Sequence, residues 1–286
     1  MKLNSIYTVY KSPFVMMGSI ELRQPIPSFK IPNANPFLLL HHYGPYFISK
    51  ENNPFDLGAH PHRGFEPITF LIQGEQKHRD SLGNIQTIKS GGVQWITSGK
   101  GILHAEGPTK EFLEKSGNLE GIQLWLNLPK SKKMMPPNYQ QANIEQMEFV
   151  EKNGAKITII AGNQATKKGV IKTQTPVNAF WVDLEADASQ KIWIPNSHQS
   201  LLYVINGGVF INKKETLSYG EQAIATFKND GEGIEIQALK KSKLLFLSGE
   251  PIDEPVVMEG PFVMNTKQEI YEAFMDYQAG KMGNLQ

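Results

Sequence analysis

The stretch Ala59–Glu75, AHPHRGFEPITFLIQGE, decides how the rest of the chain is read. Two histidines flank a proline, a glutamate follows four residues after the second, and the chain then enters an apolar run that ends at Gly74. In an extended strand, residues i and i+2 share a face, so His60 and His62 aim both imidazoles into one interior. Pro61 donates no ladder hydrogen bond and suits a strand start or an edge. Further on, GILHAEGP sets His104 and Glu106 at the same one-residue spacing. If the two strands lie side by side in one barrel, three neutral nitrogen donors and a carboxylate converge, which is a donor set for a divalent metal ion. Glycines at 58, 64, 91, 92, 99 and 101 supply the turns around both pairs.

Short alternating or apolar runs recur from one end of the chain to the other, each closed by glycine, asparagine or proline, and helical periodicity is scarce. PITFLIQGE, VQWITSG, IQLWLNL, KITIIAG, NAFWVDLE, SLLYVINGGVFIN and KLLFLSG are examples. The pattern predicts a mainly β protein built from sandwiches or barrels. At 286 residues with 40% hydrophobic residues, the chain is long enough for one large domain or two of ordinary size. A net charge of +1, from 29 basic and 28 acidic residues, gives no global field for nucleic acid or an anionic membrane. With no cysteine, disulfides and thiolate ligands are excluded, so any metal sits on nitrogen and oxygen. The N-terminal residues lack a signal-peptide core and no run reaches membrane-spanning length, which makes the cytoplasm the default location.

Leu128–Gln141, LPKSKKMMPPNYQQ, interrupts the strand pattern with a lysine cluster and two prolines, and reads as an interdomain linker. The expected division is therefore residues 1–135 and 136–286. FLIQGEQKH near Phe70 loosely matches YVINGGVFI near Tyr203, which suggests an internal duplication. One helix is expected at the end of the chain. Thr266 and Glu269 have capping-box spacing, Ile270, Ala273, Phe274 and Tyr277 fall on one face, and Gly280 would terminate it.

The pattern Gly58-x-His60-x-His62-x3-Glu66 with Gly74, followed by Gly92 to Gly99 and Gly101-x-x-His104, resembles the two motifs of the cupin superfamily. HPHRGFE, HRDSLGN, GGVQWITSGKGILHAE, LWLNLP and the tail from GEPIDEPVVMEGPF to the helix resemble the pirin branch over almost the whole chain. The resemblance implies two tandem cupin jelly-roll barrels with a short C-terminal α-helix, and one metal in the N-terminal barrel. The implied ligands are His60, His62, His104 and Glu106. Glu66 stands where many other cupins have a ligand. The resemblance tilts the metal to Fe(II), while Mn, Ni, Co and Zn suit the same donors.

Other polar residues read differently. Adjacent His41 and His42, in LLLHHYGPY, point to opposite faces of any strand, so at most one faces the site; an aspartate is usual in this segment of pirins. His78 reads as a hairpin hydrogen-bonding residue. His198, in the second barrel, has no partner at i+2, so that barrel is expected to carry no metal. Trp95, Trp125, Phe65, Phe70 and Tyr43 are candidates to line an apolar pocket for an aromatic ligand.

Resemblance to pirins with quercetin 2,3-dioxygenase activity implies an oxygenase. A flavonol-like aromatic would chelate the metal, dioxygen would add across its central ring with release of carbon monoxide, and Glu106, or Glu66 in its place, would act as general base. The alternative is a redox-sensing regulatory protein that binds a transcription factor or metabolic enzyme, with Lys77, Arg79, Lys89, Lys100, Lys130, Lys132 and Lys133 as its charged surface. A metal-stabilised barrel with an unrelated substrate is the third reading. None requires direct nucleic-acid or membrane binding.

Overall fold

The computed structural model describes residues 1–218 and 222–285, and it is mainly β. The strands of the first half are β1 (Ile6–Lys11), β2 (Phe14–Met17), β3 (Ile20–Ile26), β4 (Phe37–Ile48), β5 (Leu57–His62), β6 (Phe65–Gln73), β7 (Glu75–Asp80), β8 (Ile85–Lys89), β9 (Val93–Thr97), β10 (Ile102–Pro108), β11 (Gly117–Asn127) and β12 (Asn138–Ala142). Three helices accompany the described strands: α1 (Lys110–Lys115), α2 (Lys130–Lys133) and α3 (Lys267–Gln278). None is long and apolar enough to cross a membrane.

The chain groups into two compact units, each discontinuous in sequence. One holds Val15–Leu22, Phe37–Ile144 and the residues from Ile252 onward, and the other holds Met1–Phe14, Arg23–Pro36 and Glu145–Pro251. A single cut at 135/136 does not reproduce this grouping. The first strand, β1, is hydrogen-bonded to the strand Ala223–Phe227 of the second half. The closing helix α3 packs, through Ile270 and Ala273, on Phe262 and Met264 in the unit that carries the histidine strands. Its capping box is present as expected, Gly280 takes a left-handed φ of 72° just past the end, and Tyr277 is left exposed.

The histidine-bearing unit pairs a seven-stranded sheet, in the order β12-β9-β6-β11-β4-β3-β2, with a four-stranded sheet, β5-β10-β7-β8. Its apolar cluster draws Tyr43, Leu71 and Leu119 from the first sheet and Ile88 from the second, so the two sheets close as the faces of one jelly-roll barrel. The other unit repeats the plan. Its seven-stranded sheet runs β1, Ala223–Phe227, Gln199–Asn206, Ser242–Gly249, Val177–Leu184, Ala155–Ala161, Glu148–Lys152. Its four-stranded sheet runs Ser189–Trp193, Gly233–Ala238, Gly208–Ile211, Glu215–Ser218. The eight strands from β4 to β11 thus have counterparts in the same chain order and the same sheet positions. The loose match between FLIQGEQKH and YVINGGVFI falls on equivalent hairpins of the two units.

The interiors differ in chemistry. Where the first unit has the histidine strands β5 and β10, the second has Ser189–Trp193 and Gly233–Ala238, whose Ile192, Ile234 and Ile236 are fully buried in an apolar cluster with Val209, Ile211, Phe180 and Phe246. His198 accompanies them as a buried side chain 3.1 Å from the Ser248 hydroxyl.

The lysine-and-proline stretch expected to be a linker is part of the first unit. Asn138–Ala142 forms β12 and pairs with β9, and α2 precedes it. Lys133, 1% exposed, ends inside: its Nζ donates to the carbonyls of Gly64 (2.7 Å) and Val263 (3.0 Å) and to Asn127 Oδ1 (2.7 Å). Burial lowers its pKa to about 8. The ammonium thus ties the turn after His62 to the segment just before α3. Replacing Lys133 by Met strands three buried acceptors, and the expected loss of stability is about 2–4 kcal/mol, read as a lower denaturant midpoint with an unchanged m-value.

Candidate metal centre

Strand alternation builds the centre. β5 is an edge strand of the four-stranded sheet, so the missing N–H of Pro61 costs the ladder nothing. β10 lies beside it, antiparallel, with His104 opposite His60. On the other side of β10 is β7, with Asp80 opposite His104 and His78 opposite Glu106. The turn from β5 to β6 depends on Gly64, whose φ is 86°; a Cβ there would collide with the Val263 carbonyl.

The three predicted histidines come together. Ring centres are 4.2 Å apart for His60 and His104, 4.9 Å for His62 and His104, and 5.0 Å for His60 and His62. One ring nitrogen from each lies within 4.8 Å of the others. A second group within the same limit consists of His78, His104 and Glu106, so the predicted carboxylate stands at the same end of the barrel.

Two of the rings are oriented by backbone. Nδ1 of His60 is 2.8 Å from the Gly58 carbonyl and Nδ1 of His62 is 3.3 Å from the Pro261 carbonyl. Carbonyls only accept, so the protons sit on Nδ1 and both Nε2 lone pairs are left for a ligand. Burial lowers the His62 pKa to about 3, helped by the neighbouring His60, and burial first also lowers that of His104. These rings are therefore neutral at ordinary pH, the form that binds metal. Neither nitrogen of His104 has a hydrogen-bond partner although both are buried. Such orphaned groups are costly unless something fills the space between them, and three imidazoles beside a carboxylate fit a divalent ion.

Glu106 is held by two residues that were not singled out from the sequence. Gln94 donates to Oε2 at 2.6 Å and to the Thr69 hydroxyl at 3.2 Å, while Gln123 reaches Oε1 at 3.4 Å and accepts from Trp125 Nε1 at 3.2 Å. The signal was present: each is a glutamine set among apolar residues, in VQWI and IQLWL.

Glu66, the alternative carboxylate, is placed elsewhere. Phe65 and Thr69 of β6 face the centre, Phe65 with its ring centre 5.1 Å from that of His62. Alternation sends Glu66 to the other face of the sheet, where Thr97 donates to Oε1 at 2.6 Å. Trp95 and Phe70 alternate onto that face too, so of the five candidate aromatics only Tyr43 and Trp125 line the cavity, with Phe65 tilted against Trp125, ring centres 4.4 Å apart. His41 lines the cavity as well, kept neutral by burial that lowers its pKa to about 4. His42 points the opposite way and pairs with Glu120 at 3.0 Å.

The cavity holds about 540 Å³. His60, His62 and Glu106 form its polar end, and Ile20, Leu22, Phe55, Leu57 and Leu119 contribute to its apolar body. A concave apolar space with a few convergent polar groups is the usual form of a small-molecule site.

Glu66 provides a test of its placement. Burial raises its carboxyl from 4.5 to about 7. Between these values the folded chain holds a proton that the unfolded chain has released, so stability falls as pH rises through this window. Glu66→Gln removes the penalty. It is expected to be more stable than the natural protein by about 1–3 kcal/mol at about pH 8, with the difference shrinking towards about pH 5, as measured by urea unfolding at both pH values.

Two family models match the chain: Pirin over residues 19–126, and the Pirin C-terminal cupin domain over residues 179–283. A pirin-like protein of Solanum lycopersicum is 35% identical over 263 residues, covering 92% of this chain and 87% of the relative. Pirin of Mus musculus is 34% identical over 266 residues, covering 92% and 88%. A crystal structure of quercetin 2,3-dioxygenase from Acinetobacter baumannii superposes with a TM-score of 0.90 at 35% identity and covers 99% of both chains.

Proposed function

The chain belongs to the pirin family, and from that premise we propose that it is a metal-dependent dioxygenase of the quercetin 2,3-dioxygenase type, acting on a flat aromatic that carries adjacent hydroxyl and carbonyl oxygens. The observation that carries the reading is the convergence of His60, His62 and His104 at the polar end of an apolar cavity, with both nitrogens of His104 unpaired. In this reading His60, His62, His104 and Glu106 hold the ion, and Fe(II) is the ion that suits oxygen chemistry on such donors. Such an ion, if held by these residues, would supply Lewis-acid binding of a chelating substrate and electronic coupling to dioxygen.

The protein's own residues do the rest. Tyr43, Phe55 and Trp125 offer apolar and aromatic walls to a planar ligand. Neutral His41 can donate to or accept from a ring hydroxyl without bringing a charge into the cavity. Glu106, steadied by Gln94 and Gln123, is the carboxylate placed to take the hydroxyl proton as the substrate docks. Glu66 is given no part, because its carboxyl is on the opposite face of β6. The apolar body keeps water from the reacting atoms, which strengthens the electrostatic contacts at the polar end.

Oxygen consumption by iron-loaded protein supplied with quercetin tests this reading. Turnover is expected, and His62→Ala should abolish metal uptake and turnover together. Silence from protein that demonstrably holds iron would overturn the proposed activity, and full metal content in His62→Ala would overturn the proposed ligand set.

A further inference from the structure

His78 is a buried histidine that the proposed ligand set leaves unused. It is 1% exposed and lies flat against Tyr139, with ring centres 4.4 Å apart and 18° between planes. Its Nε2 is 3.0 Å from Asp80 Oδ2. That carboxylate also receives the backbone N–H groups of Leu82 (2.9 Å) and Asn84 (3.0 Å) and the Asn84 side chain (2.9 Å). A carboxylate accepts and does not donate, so the His78 proton sits on Nε2 and Nδ1 keeps its lone pair. That lone pair is buried and has no partner.

His104 offers the complement. Its ring centre is 5.4 Å from that of His78, and a nitrogen of each lies within 4.8 Å of the other. A neutral histidine that gives one nitrogen to an ion carries its proton on the other, and that N–H needs an acceptor. His60 and His62 have theirs in the carbonyls of Gly58 and Pro261, whereas both nitrogens of His104 are bare. On the adjacent ring, Nδ1 of His78 is a buried acceptor without a partner.

We infer that Asp80 and His78 form one positioning unit for His104, in which Nδ1 of His78 accepts the His104 N–H that faces away from the ion, leaving the other His104 nitrogen as the donor. The inference rests on the metal-centre reading above. Asp80 chooses the tautomer of His78, and His78 chooses that of His104. Tyr139, stacked on His78, limits rotation of the intermediate ring.

The test uses full-length protein loaded with Zn²⁺ as a diamagnetic probe. Long-range ¹H–¹⁵N spectra of labelled histidines should show His78 protonated at Nε2 and free of a proton at Nδ1. His78→Phe, which has no acceptor, should bind Zn²⁺ about 10-fold or more weakly, and His78→Gln, whose side-chain carbonyl can accept the same N–H, should recover most of that loss. His62→Ala in the same titration separates the two ideas. If it binds Zn²⁺ like the natural protein, the metal-centre reading fails. If it loses Zn²⁺ while His78→Phe binds normally, or if His78 carries its proton on Nδ1, this inference alone is overturned. Should His78→Phe fail to fold, Asp80→Asn decides: mixed His78 tautomers with weaker binding support the unit, and an unchanged tautomer and affinity overturn it.

Discussion

Imidazole lone pairs held away from water are uncomfortable, and the first barrel buries two such rings, His62 and His104, against the half-buried His60. Burying His62 and His104 keeps both rings neutral, and neutrality frees each ring to offer a nitrogen to a cation. For His60 and His62, acceptors behind the rings keep the other nitrogen pointed inward: the Gly58 carbonyl on β5 itself behind His60, and the Pro261 carbonyl from the segment before α3 behind His62. The C-terminal segment therefore serves the centre as well as the core. Arg63, next to His62, donates to Asp276 of α3 at 2.9 Å and to the Lys100 carbonyl at 2.6 Å, and Lys133 clamps the Gly64 turn to Val263. A helix at one end of the sequence and a histidine strand near the other are parts of one local structure.

The two units show how little separates a barrel with a histidine cluster from one with an apolar interior. Both have the same strand order in both sheets. In one, the inward positions of the two neighbouring strands carry histidines and a glutamate; in the other, they carry Ile192, Ile234 and Ile236, which fill the interior as an ordinary apolar core. Backbone pairing does not depend on which of these side chains face inward, so the polar set is a choice made against packing. Its cost is met by hydrogen bonds supplied by Gln94, Gln123 and the carbonyls behind the rings.

Much of this could be read from the chain. Period-two spacing placed His60 with His62 and His104 with Glu106, and the apolar runs with glycine turns identified the strands, because both signals depend on a single strand at a time. What escaped the sequence depends on pairing between distant segments. Leu128–Gln141 looked like a linker because prolines and lysines usually mean exposure, yet Lys133 is buried by three acceptors that come from residues 64, 127 and 263. His78 is the hydrogen-bonding hairpin residue its sequence context suggests, bonded to Asp80, but only the pairing of β7 with β10 brings it level with Glu106. Trp95 and Phe70 looked like pocket residues, and only the register of β6 with β9 sends them to the other face. The compact units also depend on returns of the chain, β1 to the second half and α3 to the first, that no local pattern announces.

The central claim is that one ion is held inside the first barrel by His60, His62, His104 and Glu106. An anomalous difference map from crystals of the natural protein grown with Ni²⁺ tests it most directly. The account predicts one strong peak in the histidine-bearing barrel, within coordinating distance of those four side chains and away from Glu66. A barrel interior without a peak, or a peak beside Glu66 and Thr97 on the far face of β6, would contradict it.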